Sequence, residues 1–247
     1  MNRKNLAKIV GIIIFLAIWE IMALANKGVF ISHIHRIFMA VSHIVTTKIF
    51  YTSLLNTVLI IAMGISIAVI VGIGLAVIMS LNNFCRNAVE PVLNLIRHIP
   101  TIALFPTLMA LFGVSNFARI VLIALNSFPA IIISAYHGIK SVDKSVIEAG
   151  KVDSASNKKI MVAIKIPLAM SEILNGIKIA NGNGFVAVVV AEMLGASSGL
   201  GFMIMWATNA FNYPEVYAYI FTLSFIGIMI NKGFDLFIKK IEGVIYA

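Results

Sequence analysis

Charge is what this sequence has least of. Of its 247 residues only 12% are Asp, Glu, Lys or Arg, about half the share of an ordinary soluble domain. So few charged side chains cannot cover a water-soluble fold of this length, which excludes a soluble globular protein. Cysteine is almost absent as well. The lone Cys85 excludes a disulfide framework and a multi-thiolate metal site, and the five histidines lie at no ligand spacing, so no metal is expected. A phosphate-gripping Walker A loop is also missing. The nearest fragment, Gly138-Ile139-Lys140-Ser141, lacks the glycine before lysine that lets backbone amides wrap a phosphate. No catalytic constellation stands in its place, so the chain reads as a non-enzyme. Neither an internal repeat nor a low-complexity segment divides it.

What the sequence does hold is apolar: 60% of residues are hydrophobic and the mean hydropathy is +1.00. A Lys, Arg or Asp at the centre of a membrane helix costs about 2.5–3.5 kcal/mol on insertion scales, so stretches poor in charge mark the spans. Each span needs roughly 20 residues. Residues 9–25 give a first run and the charge-free window 49–85 holds one long helix, 54–80. Windows 98–118 and 120–139 meet at Gly113-Val114-Ser115-Asn116, which reads as a short hairpin, and 172–194 and 216–238 supply the last two spans. The fold expected is all-α, with about six transmembrane helices. Residues 1–53 form a tail, first span and outer loop, 54–238 the membrane core, and 239–247 a second tail. Glu20, Glu192 and Asp235 read as single acids near span ends, with no paired carboxylates or arginine runs to suggest a proton relay or voltage sensor.

The net charge of +9 is unevenly placed. With the N-terminus inside, six spans put Arg3, Lys4, Lys8, Arg86, six lysines of the 138–171 loop, Lys239 and Lys240 on the cytoplasmic side. Lys27, Arg36, Lys48 and Arg119 fall outside, and twelve against four sets both termini in the cytoplasm by the positive-inside rule. Nucleic acid is not an expected partner, since the basic residues are not arrayed with aromatics on a soluble face. The bilayer is. A charged start, an apolar run and Ala23-Leu24-Ala25 also fit a cleavable leader, although Trp19 and Glu20 interrupt the run.

The 138–171 stretch is the only long hydrophilic excursion, and a loop of that length usually has structure of its own. Glu148-Ala149 starts a short helical turn, and Ser154 or Ser156 is placed to cap a second helix. Ile160, Met161 and Ile164 recur at helical spacing among Lys158, Lys159 and Lys165, and Pro167 is expected to stop the helix. The result is an amphipathic helix with nothing of its own to bury it against. It suits either an anionic lipid surface or a groove on a cytoplasmic partner.

The run Glu148-Ala149-Gly150, three residues, Ser154, nine residues, Ile164, then Ile166-Pro167 resembles the E-A-A---G---------I-L-P loop of type-1 ABC importer permeases. Gly150 replaces the second Ala of that pattern and Ser154 its Gly. Leu95-Ile96-Arg97-His98-Ile99-Pro100, Ala103-Leu104-Phe105-Pro106, Phe112-Gly113, Ala191-Glu192-Met193-Leu194-Gly195 and Gly199-Leu200-Gly201 are similar to runs of the nitrate/sulfonate/taurine branch, and Trp19-Glu20 suits its first span. Phe30-Ile31-Ser32-His33-Ile34-His35 departs from it, lacking the proline usual after span one. The resemblance implies a permease in a bacterial cytoplasmic (inner) membrane, paired with a second copy of itself. It also implies two ATP-binding subunits holding ATP and Mg, and an extracytoplasmic substrate-binding protein. No cofactor would be bound by this chain. Its cargo would be a small anionic or polar solute of the nitrate, sulfonate, taurine or vitamin-precursor class, moved inward by alternating access. Glu148, Ala149, Gly150, Ser154, Ile160, Met161, Ile164 and Pro167 would form the ATPase-coupling element, with Glu148 as charged anchor and the three apolar residues filling a groove on the ATPase.

Candidate pathway residues come from polarity inside the spans: Asn126 and Ser127, Asn181 and Asn183, and Glu192. Such groups are costly in lipid unless they face protein or a water-filled path. The small residues around them, Gly176, Gly182 and Gly184 with Asn175, fit close helix packing equally well. Arg97 and His98 fit either an anion or a snorkel to the interface, and Glu192 fits a structural cap or pairing better than a substrate contact. A secondary transporter or channel working without an ATPase is a second class, but it would normally show internal repeats and midplane ion sites. A third, a membrane scaffold or the transmembrane coupling component of a vitamin importer, would dock through Arg-containing motifs, and Ala118-Arg119 falls on the outer side.

Overall fold

The computed structural model describes residues 3–152 and 156–245. Every regular element among them is helical. Helix α1 covers Arg3–Ala25, α2 Ile34–Ile44, α3 Lys48–Leu81 and α4 Asn83–His98. A 3-10 turn, Thr101–Leu104, leads into α5, Phe105–Phe112, and α6 follows at Asn116–Ser141. The polar loop holds α7, Lys144–Val152, and α8, Asn157–Ile160. A π turn, Met161–Lys165, joins α8 to α9, Ile166–Leu168. Then come α10, Met170–Gly195, α11, Leu200–Asn209, and α12, Tyr213–Ile245.

Among the described residues α1, α3, α6, α10 and α12 are each long and apolar enough to cross a membrane. A sixth crossing exists only if α4 and the Thr101–Phe112 arm count as one span, and these meet at 86°. The span expected over 98–118 is therefore broken. Ile99 is extended (φ −80°, ψ 126°), as a residue before proline prefers, and Pro100 begins the short arm. That arm is only about 18 Å long at 1.5 Å per residue. The hairpin after it stands where expected: Gly113 takes φ +73° and the Ser115 hydroxyl accepts the Ala118 N–H, capping α6.

Lipid supplies no hydrophobic drive between helices, so contact depends on how closely backbones can approach. A Cβ at Gly64 would lie 2.6 Å from Ile123 Cβ, and one at Gly72 2.9 Å from Ile131 Cγ2. The order of these contacts shows that α3 and α6 run parallel. Opposite contacts, Gly138 with Glu172, Gly176 with Ser134 and Ser127 with Ala180, show α10 antiparallel to α6. The buried core lies between these three helices, around Ile65, Leu122, Ile123, Ile131 and Val188. The polar loop closes one end of this trio and the Gly113 hairpin lies at the other.

Two short helices occupy regions expected to be plain loops, α2 within 26–53 and α11 within 195–215. The Trp19 indole N–H donates to Ser32 O at 3.0 Å, and Glu20 Oε2 accepts the Ile34 N–H at 3.1 Å, holding the first turn of α2. Tyr217 donates its hydroxyl proton to Phe30 O, so α1, α2 and α12 are tied together at the hairpin end. A second apolar cluster, including Ile44, Phe50, Leu200, Ile204 and Tyr219, fills the space beneath.

Candidate functional site

The polar loop is anchored, and its anchor corrects the sequence expectation. Ile160 and Met161 are each only 3% exposed. Met161 belongs to one buried apolar cluster with Ala76 of α3, Ala135 and Ile139 of α6, Ile173 of α10 and Ala169 just before it. The amphipathic ridge therefore has something of its own to bury against, and two of its residues cannot fill a partner's groove. Among the described residues the most exposed apolar side chains of the loop are instead Val152 and Val162, 82% and 60% exposed, with Val146, Glu148 and Ala149 also exposed on α7. Neither Val152 nor Val162 has a signal in the motif.

At Gly150, the departure from the motif, a Cβ would lie 2.7 Å from Ile164 Cδ1, the end of a side chain that can turn aside, so the two short helices approach closely here without requiring glycine. Ser156 caps α8 by accepting the Lys159 N–H, while Ser154 lies outside the described residues. Asp143 Oδ1 accepts the Ser145 N–H at 2.9 Å at the start of α7. That bond favours the ionised form and holds the carboxyl below its ordinary range.

Pro167 does not end the helix. It has no N–H and its ring crowds the carbonyl four residues back. The backbone widens before it, the Ile166 N–H bonding to Met161 O in a π turn, and continues to Leu168. Ala169 makes a one-residue break before α10.

Above the loop, a cavity of about 530 Å³ opens between α4, the broken arm, α6 and α10. Arg97, Thr101, Asn126 and Asn183 bring polar atoms to it, and Pro100 and Pro129 shape its wall. The Asn126 side-chain amide donates to Asn183 O at 2.9 Å. So Asn126 and Asn183, both expected on a pathway, come together. Ser127 and Asn181 are buried away from the cavity wall; the Ser127 hydroxyl donates to Ala180 O at 3.1 Å within the α6–α10 contact. The small residues of α10 divide likewise. Gly176 and Gly184 lie against neighbouring side chains, whereas Gly182 faces open space. His98 turns back on its own helix, Nδ1 lying 2.6 Å from Asn94 O, and Arg97 donates to Asn94 Oδ1.

Glu192 is fully buried at the hairpin end. The Thr57 hydroxyl lies 2.9 Å and 3.0 Å from its two oxygens, and the Gly201 N–H donates to Oε2 at 2.9 Å. The glycines of Gly199-Leu200-Gly201 follow from this. A Cβ at Gly199 (φ +119°) would lie 2.3 Å from the Glu192 carboxylate carbon, and one at Gly201 2.4 Å from Val189 O.

None of the three acids read as single is alone. Glu20 Oε1 lies 2.7 Å from His33 Nδ1, Glu192 is held by Thr57 and Gly201, and Asp235 pairs with Lys178. Sequence separation hides all three. Among the described residues no group of three His, Cys, Asp or Glu is arranged to hold a metal ion.

Residues 64–243 match the family described as binding-protein-dependent transport system inner membrane component. The chain is 30% identical to the formylaminopyrimidine transport permease ThiX of Halalkalibacterium halodurans, over 94% of this chain and 92% of that one. It is 32% identical to the taurine transport system permease TauC of Escherichia coli K12, covering 67% of this chain and 60% of that one. A chain from a structure of the MetNI methionine ABC transporter shares its fold, with a TM-score of 0.68 at 17% identity, over 78% of this chain and 96% of that one.

Proposed function

This chain belongs to the binding-protein-dependent transport system inner membrane component family, the permease subunits of type-1 ABC importers, and from that premise we propose how it works. It pairs with a second copy of itself, takes two ATP-binding subunits on its cytoplasmic loop, and receives solute from an extracytoplasmic binding protein. ATP and Mg stay on the partner subunits. Both termini face the cytoplasm of a bacterial cell, as the basic residues indicate.

The observation that carries this reading is the way the loop is seated. Met161 lies in one buried cluster with side chains of α3, α6 and α10, while Glu148, Ala149, Val152 and Val162 are exposed on the same loop. A partner that pushes on the exposed face therefore moves a packed body rather than a loose strand. α6 and α10 also line the cavity holding Asn126 and Asn183. Packed elements shift between discrete arrangements rather than deforming continuously, so motion at the loop becomes opening or closing of that cavity. The relatives named for a formylaminopyrimidine and for taurine support a small polar solute. The Arg97 guanidinium and the two asparagines suit a solute with oxygen acceptors, anionic or amide-like.

Co-expression with the ATP-binding subunit from the same genome tests this reading. Wild type is expected to co-purify with it and to stimulate its ATPase activity, and Glu148→Arg to lose both. Solute movement by the chain alone in liposomes, with no ATPase retained under any condition, would overturn the reading in favour of a secondary transporter.

A further inference from the structure

Lys178 and Asp235 form an ion pair inside the membrane-spanning part of the chain, joining α10 to α12. Lys178 lies about 12 Å along α10 from Met170, and Asp235 about 15 Å from the end of α12 at Ile245, at 1.5 Å per residue. Both lie within the stretches of α10 and α12 apolar enough to cross a membrane, where an unpaired charge is expensive, and Lys232 and Lys239 stand one turn to either side of Asp235 on its own helix. We infer that this pair is a positioning clasp that makes the loop-side half of α12 move with α10, so that motion of the coupling loop reaches the last span. This rests on the permease reading above.

The packing of α12 makes the clasp necessary. Its residues in the apolar clusters are Val216, Ala218, Tyr219, Leu223 and Ile226, all in the half nearer the hairpin end. Beyond Gly227, Ile238 alone among the described residues is a buried apolar side chain. The loop-side half is thus tied to the bundle by little packing and one ion pair. α10 in turn begins at Met170, directly after Ala169, which belongs to the cluster that seats Met161 of the loop. A displacement of the loop therefore reaches Lys178 through two turns of continuous helix.

Parting the helices would take Lys178 from its carboxylate and leave Asp235 only Lys232 and Lys239, one turn away on its own helix, and the cost of the unpaired lysine opposes the separation. Lys178 and Asp235 are 33% and 49% exposed, and screening reduces that cost wherever water reaches them. Asn231 stands one turn before Asp235 on the same face, and its Oδ1 is buried without a partner. A slide of Lys178 from Asp235 to Asn231 is the competing motion, and it would shift the two helices by about one turn, roughly 5 Å.

The test uses the assembled importer in proteoliposomes. Lys178→Asp and Asp235→Lys are made singly and together, and ATPase binding, basal ATPase activity and solute uptake are followed. Each single variant is expected to retain the ATPase subunit and basal activity within about twofold while uptake falls about tenfold or more. The double exchange should recover uptake to within about threefold of wild type. These thresholds bracket the roughly tenfold change that a moderate coupling energy gives. Unchanged uptake in the single variants overturns the clasp, as does failure of the exchange to restore it.

A second measurement leaves the pair intact, in case the variants fold poorly. Spin labels at the exposed Ile179 and Leu236, with Cys85→Ser, are compared between nucleotide-free and ATP-trapped complexes. A constant separation supports the clasp, and a change of about 5 Å, one helical turn, overturns it in favour of the slide. A wild-type chain that takes up no ATPase overturns the permease reading itself, an outcome distinct from normal coupling by broken pairs.

Discussion

The Thr57 hydroxyl lies within 3.0 Å of both Glu192 oxygens and itself accepts the Leu200 N–H at 2.9 Å. One side chain of α3 thereby joins the carboxylate of α10 to the backbone at the start of α11. All three groups are buried. The arrangement stitches the hairpin end of the bundle, opposite the loop on which the ATPase is proposed to act.

Glu192→Ala removes the acceptor for the Gly201 N–H and leaves that donor buried, while the Thr57 hydroxyl can turn to Ser53 O, 3.1 Å away. An unsatisfied buried donor costs about 1–3 kcal/mol, so the detergent-solubilised protein should melt well below wild type. Glu192→Gln keeps one acceptor oxygen in place and should lose less. Thr57→Val should also destabilise, and the double variant Thr57→Val with Glu192→Ala should fall short of the sum, because the residues share one network. Additive losses in thermal melts would show that the two side chains act independently.

Gly176 and Gly182 lie on one helix and should respond oppositely to alanine. A Cβ at Gly176 would lie 2.6 Å from Ser134 Cβ and 3.3 Å from the backbone oxygen of Ala130, whereas at Gly182 nothing lies within 4 Å. Overpacking of the first kind costs about 1–3 kcal/mol. Replacing a helical glycine in open space gains up to about 1 kcal/mol. Melting of Gly176→Ala below wild type and of Gly182→Ala at or above it is the expected result. Equal melting points would remove the distinction between the packed and open faces of α10.

Local chemistry was legible in the sequence and long-range partnership was not. Stretches poor in charge marked the spans because a charge in lipid is costly wherever it stands. The turn at Gly113 and the cap at Ser115 were legible because both are local. Thr57 and Glu192 are 135 residues apart, and Lys178 and Asp235 57, so neither pair leaves a pattern in the chain. The 3.6-residue period of Ile160, Met161 and Ile164 reported an apolar face but not what covers it, and the bundle covers most of it. The broken third span had a signal in Ile99-Pro100, since a residue before proline resists helix, but hydropathy alone ran through it. Asn126 and Asn183 were legible as polar residues in spans, whereas Arg97 left a choice between anion and interface that the cavity wall narrows.

The cap at Asp143 makes α7 sensitive to acid. Its carboxyl is held below the ordinary aspartate range by the Ser145 N–H, so the ionised form is the one favoured by folding. The stabilisation is therefore complete above the ordinary range and is lost as pH falls through the lowered value. Amide exchange over Lys144–Val152, corrected for intrinsic rates, should show protection falling on acidification below the ordinary range. Asp143→Asn caps comparably without titrating and should show no such fall. Parallel loss in both proteins would place the acid sensitivity elsewhere.

Met161 and Val162 are neighbours in the π turn and divide anchoring from docking. Met161 is buried among α3, α6 and α10, so Met161→Ala should open a cavity and cost about 2–5 kcal/mol, visible as a lower melting temperature of the isolated chain. Val162 is 60% exposed and Val152 82%, so Val162→Asp and Val152→Asp should leave melting close to wild type. A desolvated charge in an apolar contact weakens binding, so these two variants should instead weaken retention of the ATPase subunit by about tenfold or more. The distinction is read from two assays on the same proteins: thermal melting of the isolated chain and co-purification of the complex. If Val162→Asp and Val152→Asp keep the ATPase at wild-type levels, the exposed valines are not the docking face. If Met161→Ala melts as wild type does, the loop is not seated through Met161, and the mechanical link from loop to cavity fails with it.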